Sequence, residues 1–273
     1  MPYEDELAFA QELATRAGAL LVTSYERVQR VDRKSARDVV TEVDYASEKL
    51  LIDAIRDRYP DDAILAEESG HHRAVCGRRR RGGRVWVLDP LDGTVNYANG
   101  IPFFCVSVAM VADDRPAVGV VLDPLRVDCF TAVTDQPARL NGTVIRASTK
   151  EALSDFVVSL AIIGAGGIGR ERRVGRQIRI PRRMGSAALS LAYVANGRFD
   201  AFAQNGGLSL WDVAAAGLIA ERGGATVSDL AGGPWWDASR RSARISIVAA
   251  PPRHHQSLLD LLVSVGTGVR TRR

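Results

Sequence analysis

Apolar residues recur at helical spacing between Asp5 and Tyr25. Leu7, Ala10, Leu13, Ala14, Ala17, Leu20 and Leu21 are separated by charged positions, which predicts an amphipathic first helix. After a polar segment over residues 29–37, Asp38-Val39-Val40-Thr41-Glu42-Val43-Asp44 carries an S/T-x-x-D start signal. It predicts a second helix to about Arg58, stopped by Tyr59-Pro60. Ala63 to Ala66 reads as a short strand ending at Glu67-Glu68-Ser69, and Gly70 to Gly83, without periodicity, as a surface loop. From Val85 onward strands dominate: Val85 to Leu88, Phe103 to Val111, Ala117 to Leu122 and Cys129 to Val133, then a hairpin turning at Asn141-Gly142. A helical stretch around Lys150 to Leu153 precedes a strand from Phe156 to Ile163. Helices open at Gly185-Ser186-Ala187-Ala188 and at Ser209 to Asp212, the latter ending at Gly223-Gly224. A strand from Ile245 to Ala249 and a helix from His255 to Val263 complete the pattern. It predicts an α/β chain of helix layers alternating with mixed sheets, in an N-terminal lobe over 1–150 and a C-terminal lobe over 151–273.

The stretch Trp86-Val87-Leu88-Asp89-Pro90-Leu91-Asp92-Gly93-Thr94 is where chemistry enters. A buried strand ends in two carboxylates, three positions apart, around a Pro-stiffened turn. That places Asp89, the Leu91 carbonyl and Asp92 where they can converge on one hard cation. Donors that are all oxygen suit Mg²⁺, which is usually shared with substrate phosphate. Gly93 and Thr94 add backbone N–H groups and a hydroxyl of the kind that cradles phosphate. Asp-Pro and Asp-Gly are also ordinary turn dipeptides, and DPLDG alone is equally compatible with a plain turn.

Composition narrows the setting. The 273 residues, 46% hydrophobic and 25% charged, suffice for one large domain or two lobes sharing a core. No apolar run approaches the ~20 residues of a membrane span. The acidic N-terminus, Met1 to Glu6, argues against a signal peptide. Cys76, Cys105 and Cys129 form no CxxC pair, so neither a disulfide framework nor a thiolate zinc site is indicated. A cytoplasmic protein is expected. The net charge of +4 is clumped at Arg78 to Arg81 with Arg84, between Arg170 and Arg183, and at Arg270 to Arg273. Such clusters can attract RNA or steer an anionic substrate, but no aromatic residues interleave with them, which favours a solvated surface over nucleic acid.

The segment from Trp86 through DPLDGT to Asn96-Tyr97 and the strand Val106-Ser107-Val108 resembles the signature of the inositol monophosphatase family. These are Mg²⁺-dependent, lithium-sensitive phosphomonoesterases. The resemblance runs from about Lys34 to Gly224. It implies an αβαβα five-layer sandwich of the inositol monophosphatase and fructose-1,6-bisphosphatase type, usually a homodimer. It also implies further site residues: Glu67 as a metal-bridging carboxylate, Asp212 as a distal metal ligand, Asp44 as the partner of Thr94, and Lys34 on a loop closing over the metals. Gly185, Ser186, Ala187 and Asn205 match its substrate positions. Each has an ordinary reading too. Asp44 and Asp212 stand three residues after Thr41 and Ser209 and fit helix caps, Glu67 an exposed strand end, and Lys34 a solvated loop.

Together these residues imply attack of metal-activated water on a small sugar or polyol phosphate, with two or three Mg²⁺ ions held by Glu67, Asp89, Leu91, Asp92 and Asp212. Thr94, Asp44 or Glu67 would orient or deprotonate the water, and the Gly93 and Thr94 N–H groups would hold phosphate oxygens. Inositol 1-phosphate heads the substrates. Fructose 1,6-bisphosphate, 3′-phosphoadenosine 5′-phosphate and histidinol phosphate are alternatives, because Asn205 stands where inositol-phosphate enzymes usually carry glutamate. Gln136-Pro137-Ala138 also replaces the usual glycines, a difference at the lobe edge that touches no catalytic residue. Two other classes compete. Gly164-Ala165-Gly166-Gly167-Ile168-Gly169 fits GxGxxG, but the basic segment after it has no apolar helix face and no acidic ribose contact follows about 20 residues on. An RNA-associated partner protein acting through its arginine clusters is the non-enzymatic alternative.

Overall fold

Three helical layers and two mixed sheets alternate in the computed structural model, which describes residues 2–28, 30–33, 39–73, 83–164, 166–239 and 245–263. The chain begins with α1 (Glu4–Ser24), β1 (Val31–Arg33), β2 (Val39–Thr41), α2 (Glu42–Arg58), β3 (Ala63–Ala66), β4 (Gly70–His72), β5 (Val85–Asp92) and α3 (Thr94–Ala98). Then come β6 (Cys105–Ala112), β7 (Arg115–Asp123), β8 (Asp128–Val133), β9 (Arg139–Leu140) and β10 (Thr143–Val144). Beyond a 3₁₀ turn at Leu153–Asp155 lie β11 (Val157–Ala161), α4 (Gly167–Gly175), β12 (Ile180–Arg182), α5 (Ala187–Ala192), β13 (Ala201–Leu208) and α6 (Leu210–Arg222). The described part ends with β14 (Thr226–Ser228), β15 (Ile245–Ala250) and α7 (Pro252–Val263).

The first sheet has the order β10-β9-β8-β7-β6-β5-β3-β4 and is antiparallel except where β3 meets β5. The second has the order β12-β11-β13-β15-β14, with β11 parallel to both neighbours. α1 and α2 cover one face of the first sheet, burying Leu13, Leu21, Leu51 and Ile55 against Trp86, Leu88, Val108 and Val120. Between the sheets, α5 and α6 bury Leu189, Val213 and Ile219 against Val87, Val121 and Ile247. On the outer face of the second sheet, Val174 of α4 and Leu258 and Leu262 of α7 meet Phe156, Val158 and Val248. This is the five-layer αβαβα sandwich expected from the sequence. α6 can lie so close to the first sheet because its middle is Ala214-Ala215-Ala216-Gly217. A Cβ on Gly119 of β7 would sit 2.8 Å from the Ala215 carbonyl oxygen.

The capping signal at Thr41 is realised: its side chain and that of Asp44 form a reciprocal capping box at the start of α2. Asn141 and Gly142 turn the β9–β10 hairpin with φ of 48° and 80°, as a tight hairpin turn needs. Four expectations are corrected. Gly70–His72 is a strand that pairs with β3, where a loop is expected. β5 runs on through the Asp-Pro turn to Asp92. The Gly-rich segment does lead into a helix, α4, whose N-cap Gly166 has φ 76°; the sequence hid it because only Gly167 and Val174 are buried along it. β13, central in the second sheet, has no counterpart among the expected strands, because its second half reads Gln-Asn-Gly-Gly. Among the described residues no helix is long and apolar enough to cross a membrane. Lys34, Cys76, the Arg78 to Arg81 cluster and Arg270 to Arg273 lie outside the described residues.

Candidate metal and phosphate site

In a regular strand, residues three apart point to opposite faces. β5 escapes this rule by a bulge. Asp89 pairs with Ser107 and Asp92 with Cys105, so three steps along β5 match two along β6. The extra residue returns the side-chain alternation to phase. Leu91 joins Trp86 and Leu88 under α1 and α2, while Asp89 and Asp92 both turn to the side where α5 and α6 begin. The Leu91 N–H donates to Asp89 Oδ1 at 3.1 Å and closes the turn.

At the start of α6, Asp212 accepts the Ser209 N–H at 2.5 Å in a second capping box and also reaches the β5 pair. Carboxylate oxygens of Asp89, Asp92 and Asp212 all lie within 4.8 Å of one another. Asp212 thus both caps α6 and lies in the acidic cluster. Glu67, following β3, shares a hydrogen bond with Asp89. Burial pushes the Asp89 carboxyl well above the usual carboxylate range, and the charges of Glu67, Asp92 and Asp212 push it further. Burial also raises Asp92, against donors that hold it down: the Ser186 hydroxyl at 2.5 Å and the N–H groups of Ala188 at 2.7 Å and Ala187 at 3.3 Å. Four converging carboxyls, two of them almost fully buried, repel one another unless a cation joins them. All the donors are oxygens, so the set fits Mg²⁺ or a similarly hard ion.

Asp44 likewise does two things. Its Oδ2 accepts the Thr41 N–H and hydroxyl, at 2.8 and 2.5 Å, and its Oδ1 lies 3.0 Å from the Thr94 hydroxyl. That hydroxyl is also 3.0 Å from the Leu91 carbonyl oxygen. Burial raises the Asp44 carboxyl, the Thr41 and Thr94 hydrogen bonds lower it, and the Glu67 charge adds to the rise. Gly93, at φ 101°, must be glycine: a Cβ there would lie 3.1 Å from the Phe103 carbonyl oxygen and 3.2 Å from Ser186.

The structure brings Glu67, Asp89, Leu91, Asp92, Thr94, Asp44 and Asp212 into one network, with Gly93, Gly185, Ser186 and Ala187 beside it. Ser186 and Ala187, expected to face substrate, donate to Asp92. Asn205 has its amide engaged elsewhere, accepting the Ile163 N–H at 2.7 Å and donating to the Ile163 carbonyl at 2.9 Å. Sequence reasoning counted Asn96 in the signature but gave it no role. Its amide donates at 2.7 Å to both the Phe103 and Met184 carbonyls and so ties α3 to the loop before α5. A side-chain amide two residues after DGT was the available signal.

Residues 3–267 match the model of the inositol monophosphatase family, and the chain belongs to that family. It is 40% identical over 242 residues, 83% of this chain and 86% of the relative, to the Nus factor SuhB of Pseudomonas aeruginosa. The Nus factor SuhB of Escherichia coli K12 is 39% identical over 235 residues, with 83% and 86% covered. Among solved structures, the extragenic suppressor protein SuhB from Bartonella henselae superposes with a TM-score of 0.86 at 32% identity, over 96% of this chain and 99% of that one. The Thermotoga maritima IMPase does so at 0.85 and 31%, over 94% and 96%.

Proposed function

We propose that this protein is a Mg²⁺-dependent phosphomonoesterase hydrolysing a small sugar or polyol phosphate, inositol 1-phosphate first among them, and that it works as a cytoplasmic homodimer. One observation carries the reading: the acidic groups of Asp89, Asp92 and Asp212, brought from two distant segments to within 4.8 Å of one another. Glu67, Asp89 and the Leu91 carbonyl would hold one ion, and Asp89, Asp92 and Asp212 a second, with a third, largely hydrated, near Glu67. Bound Mg²⁺ supplies positive charge against the ester's dianion and makes water more acidic.

The remaining work falls to the chain. Thr94, 3.0 Å from Asp44, is placed to pass a proton from the attacking water to that carboxylate. The Gly93 and Thr94 N–H groups at the start of α3 receive phosphate oxygens, whose charge spreads as the bond to the leaving oxygen breaks. The donors on Asp92 keep its carboxylate in one orientation, which favours a single geometry for the departing group. Asn205, engaged with Ile163, leaves polyol hydroxyls without the acceptor-only carboxylate that inositol-phosphate enzymes carry there. Fructose 1,6-bisphosphate, 3′-phosphoadenosine 5′-phosphate and histidinol phosphate therefore belong in the test panel. The experiment is phosphate release from these esters under Mg²⁺ titration, with and without Li⁺. No Mg²⁺-dependent release from any of them would refute the reading.

A second reading is association with RNA through basic surface. Arg172 on α4 and Arg176, its C-cap, are exposed, and the relatives at 39–40% identity are named Nus factors. Filter binding to RNA at low and high salt separates the two, and no retention at low salt removes this one.

A further inference from the structure

Asp44, Ser47 and Glu48 lie at i, i+3 and i+4 on α2, along one helix face. Each side chain on that face grips a turn of the candidate site. Asp44 meets Thr94, and the Ser47 hydroxyl donates at 3.1 Å to the carbonyl of Pro90, inside the β5 bulge. Glu48, only 3% exposed, takes the turn after β3. Its Oε2 accepts the Glu68 N–H at 2.7 Å, and its Oε1 accepts the Ser69 N–H at 2.9 Å and the Ser69 hydroxyl at 2.5 Å. A carboxyl this deep needs several donors, and the three come from the two residues following Glu67. The β3–β4 pairing runs only from Ala66↔Gly70 outward, so the ladder stops short of this turn and Glu48 supplies the acceptors.

The grip continues outward. Arg56, also on α2, lies 3.1 Å from His72 Nδ1, and His72 Nε2 lies 2.6 Å from the Ser69 hydroxyl. A guanidinium only donates, so Nδ1 accepts, Nε2–H donates to Ser69, and the Ser69 proton is directed to Glu48. The chain of donors has one consistent direction.

We propose that Glu48 is a positioning residue of the metal centre: by holding the Glu68-Ser69 backbone it aims Glu67 at Asp89, while Ser47 on the same face fixes the opposing turn. The proposal rests on the reading of Glu67 as a metal ligand. Groups that hold a ligand in place commonly change metal affinity 10–100-fold when altered. In Glu48→Gln the volume is kept, but one oxygen becomes an NH₂ that opposes an N–H donor.

The test is calorimetric titration of Mn²⁺ into metal-free protein, with no substrate present. Glu48→Gln is expected to weaken the ion that depends on Glu67 by at least about tenfold, and to leave the ion of Asp89, Asp92 and Asp212 within about threefold. Ser69→Ala, which removes one of three donors, is expected to shift the same ion less, and it carries the test should Glu48→Gln fail to fold. Adding Glu48→Gln to Glu67→Ala is expected to change Mn²⁺ binding no further. Wild-type affinity in both Glu48→Gln and Ser69→Ala, or a further loss in the double variant, overturns the proposal and leaves the phosphatase reading standing. A wild-type protein that binds no Mn²⁺ overturns both.

Discussion

Asp44 and Thr94, fifty positions apart, face each other at 3.0 Å, and the oxygen of Asp44 that does not touch Thr94 caps its own helix. The cap fixes where the carboxylate points before Thr94 meets it. Thr94→Val is therefore expected to lower kcat by about 10²–10⁴-fold, the usual range for a lost proton-transfer partner. Thr94→Ser should recover most of it, and Mn²⁺ affinity should stay near wild type in both. Steady-state kinetics with calorimetry checks this. A Thr94→Val enzyme with full kcat would show that the hydroxyl moves no proton.

Asp89→Asn is expected to abolish turnover while the metal-free protein becomes more stable at neutral pH. The neutral amide removes a buried charge that faces Glu67, Asp92 and Asp212. A gain of about 1 kcal/mol corresponds to less than one pKa unit of relieved repulsion. Urea unfolding in the presence of a chelator measures it. A destabilised, still active variant contradicts both halves.

The same repulsion sets a pH dependence. Burial holds Asp89, Asp92 and Asp44 above the usual carboxylate range. The folded chain thus binds their protons more tightly than the unfolded chain, where aspartate titrates near about 3.9. Their adverse effect is absent below that value and grows as the pH rises through the raised, folded-state values. A divalent ion binds the ionised cluster and offsets the loss. Mg²⁺ is expected to raise the urea midpoint more at about pH 8 than at about pH 5, and Asp89→Asn to shrink that difference. Equal gains at both pH values would refute the linkage.

Gly119→Ala is expected to destabilise by about 1–3 kcal/mol, the usual effect of an overpacked core. The new methyl would press on the Ala215 backbone at 2.8 Å, with Asp212 one turn away on the same helix. Thermal unfolding reads the stability, and Mn²⁺ affinity reads whether α6 has shifted. An unchanged Tm would mean that sheet and helix separate easily.

Much of this was legible along the chain, for local reasons. The capping boxes at Thr41 and Ser209, the hairpin at Asn141-Gly142 and the amphipathic α1 each follow from neighbours within one or two turns. What escaped depended on distant partners. The β5 bulge exists only relative to β6, so sequence ended the strand at Leu88. β13 is held as a strand by β11 and β15 despite a glycine-rich half that predicts a loop. Glu48 went unmarked, because its partners at Glu68 and Ser69 are twenty and twenty-one positions on.

The irregularity at Pro90-Leu91 makes backbone register itself a determinant of activity. Were β5 to keep all its residues and pair with β6 in strict alternation, Asp89 and Asp92, three positions apart, would face opposite sides, and one acid would lie beneath the helices on the far side of the sheet. The acidic centre is thus specified by where the strand slips by one position as much as by the carboxyl groups it carries.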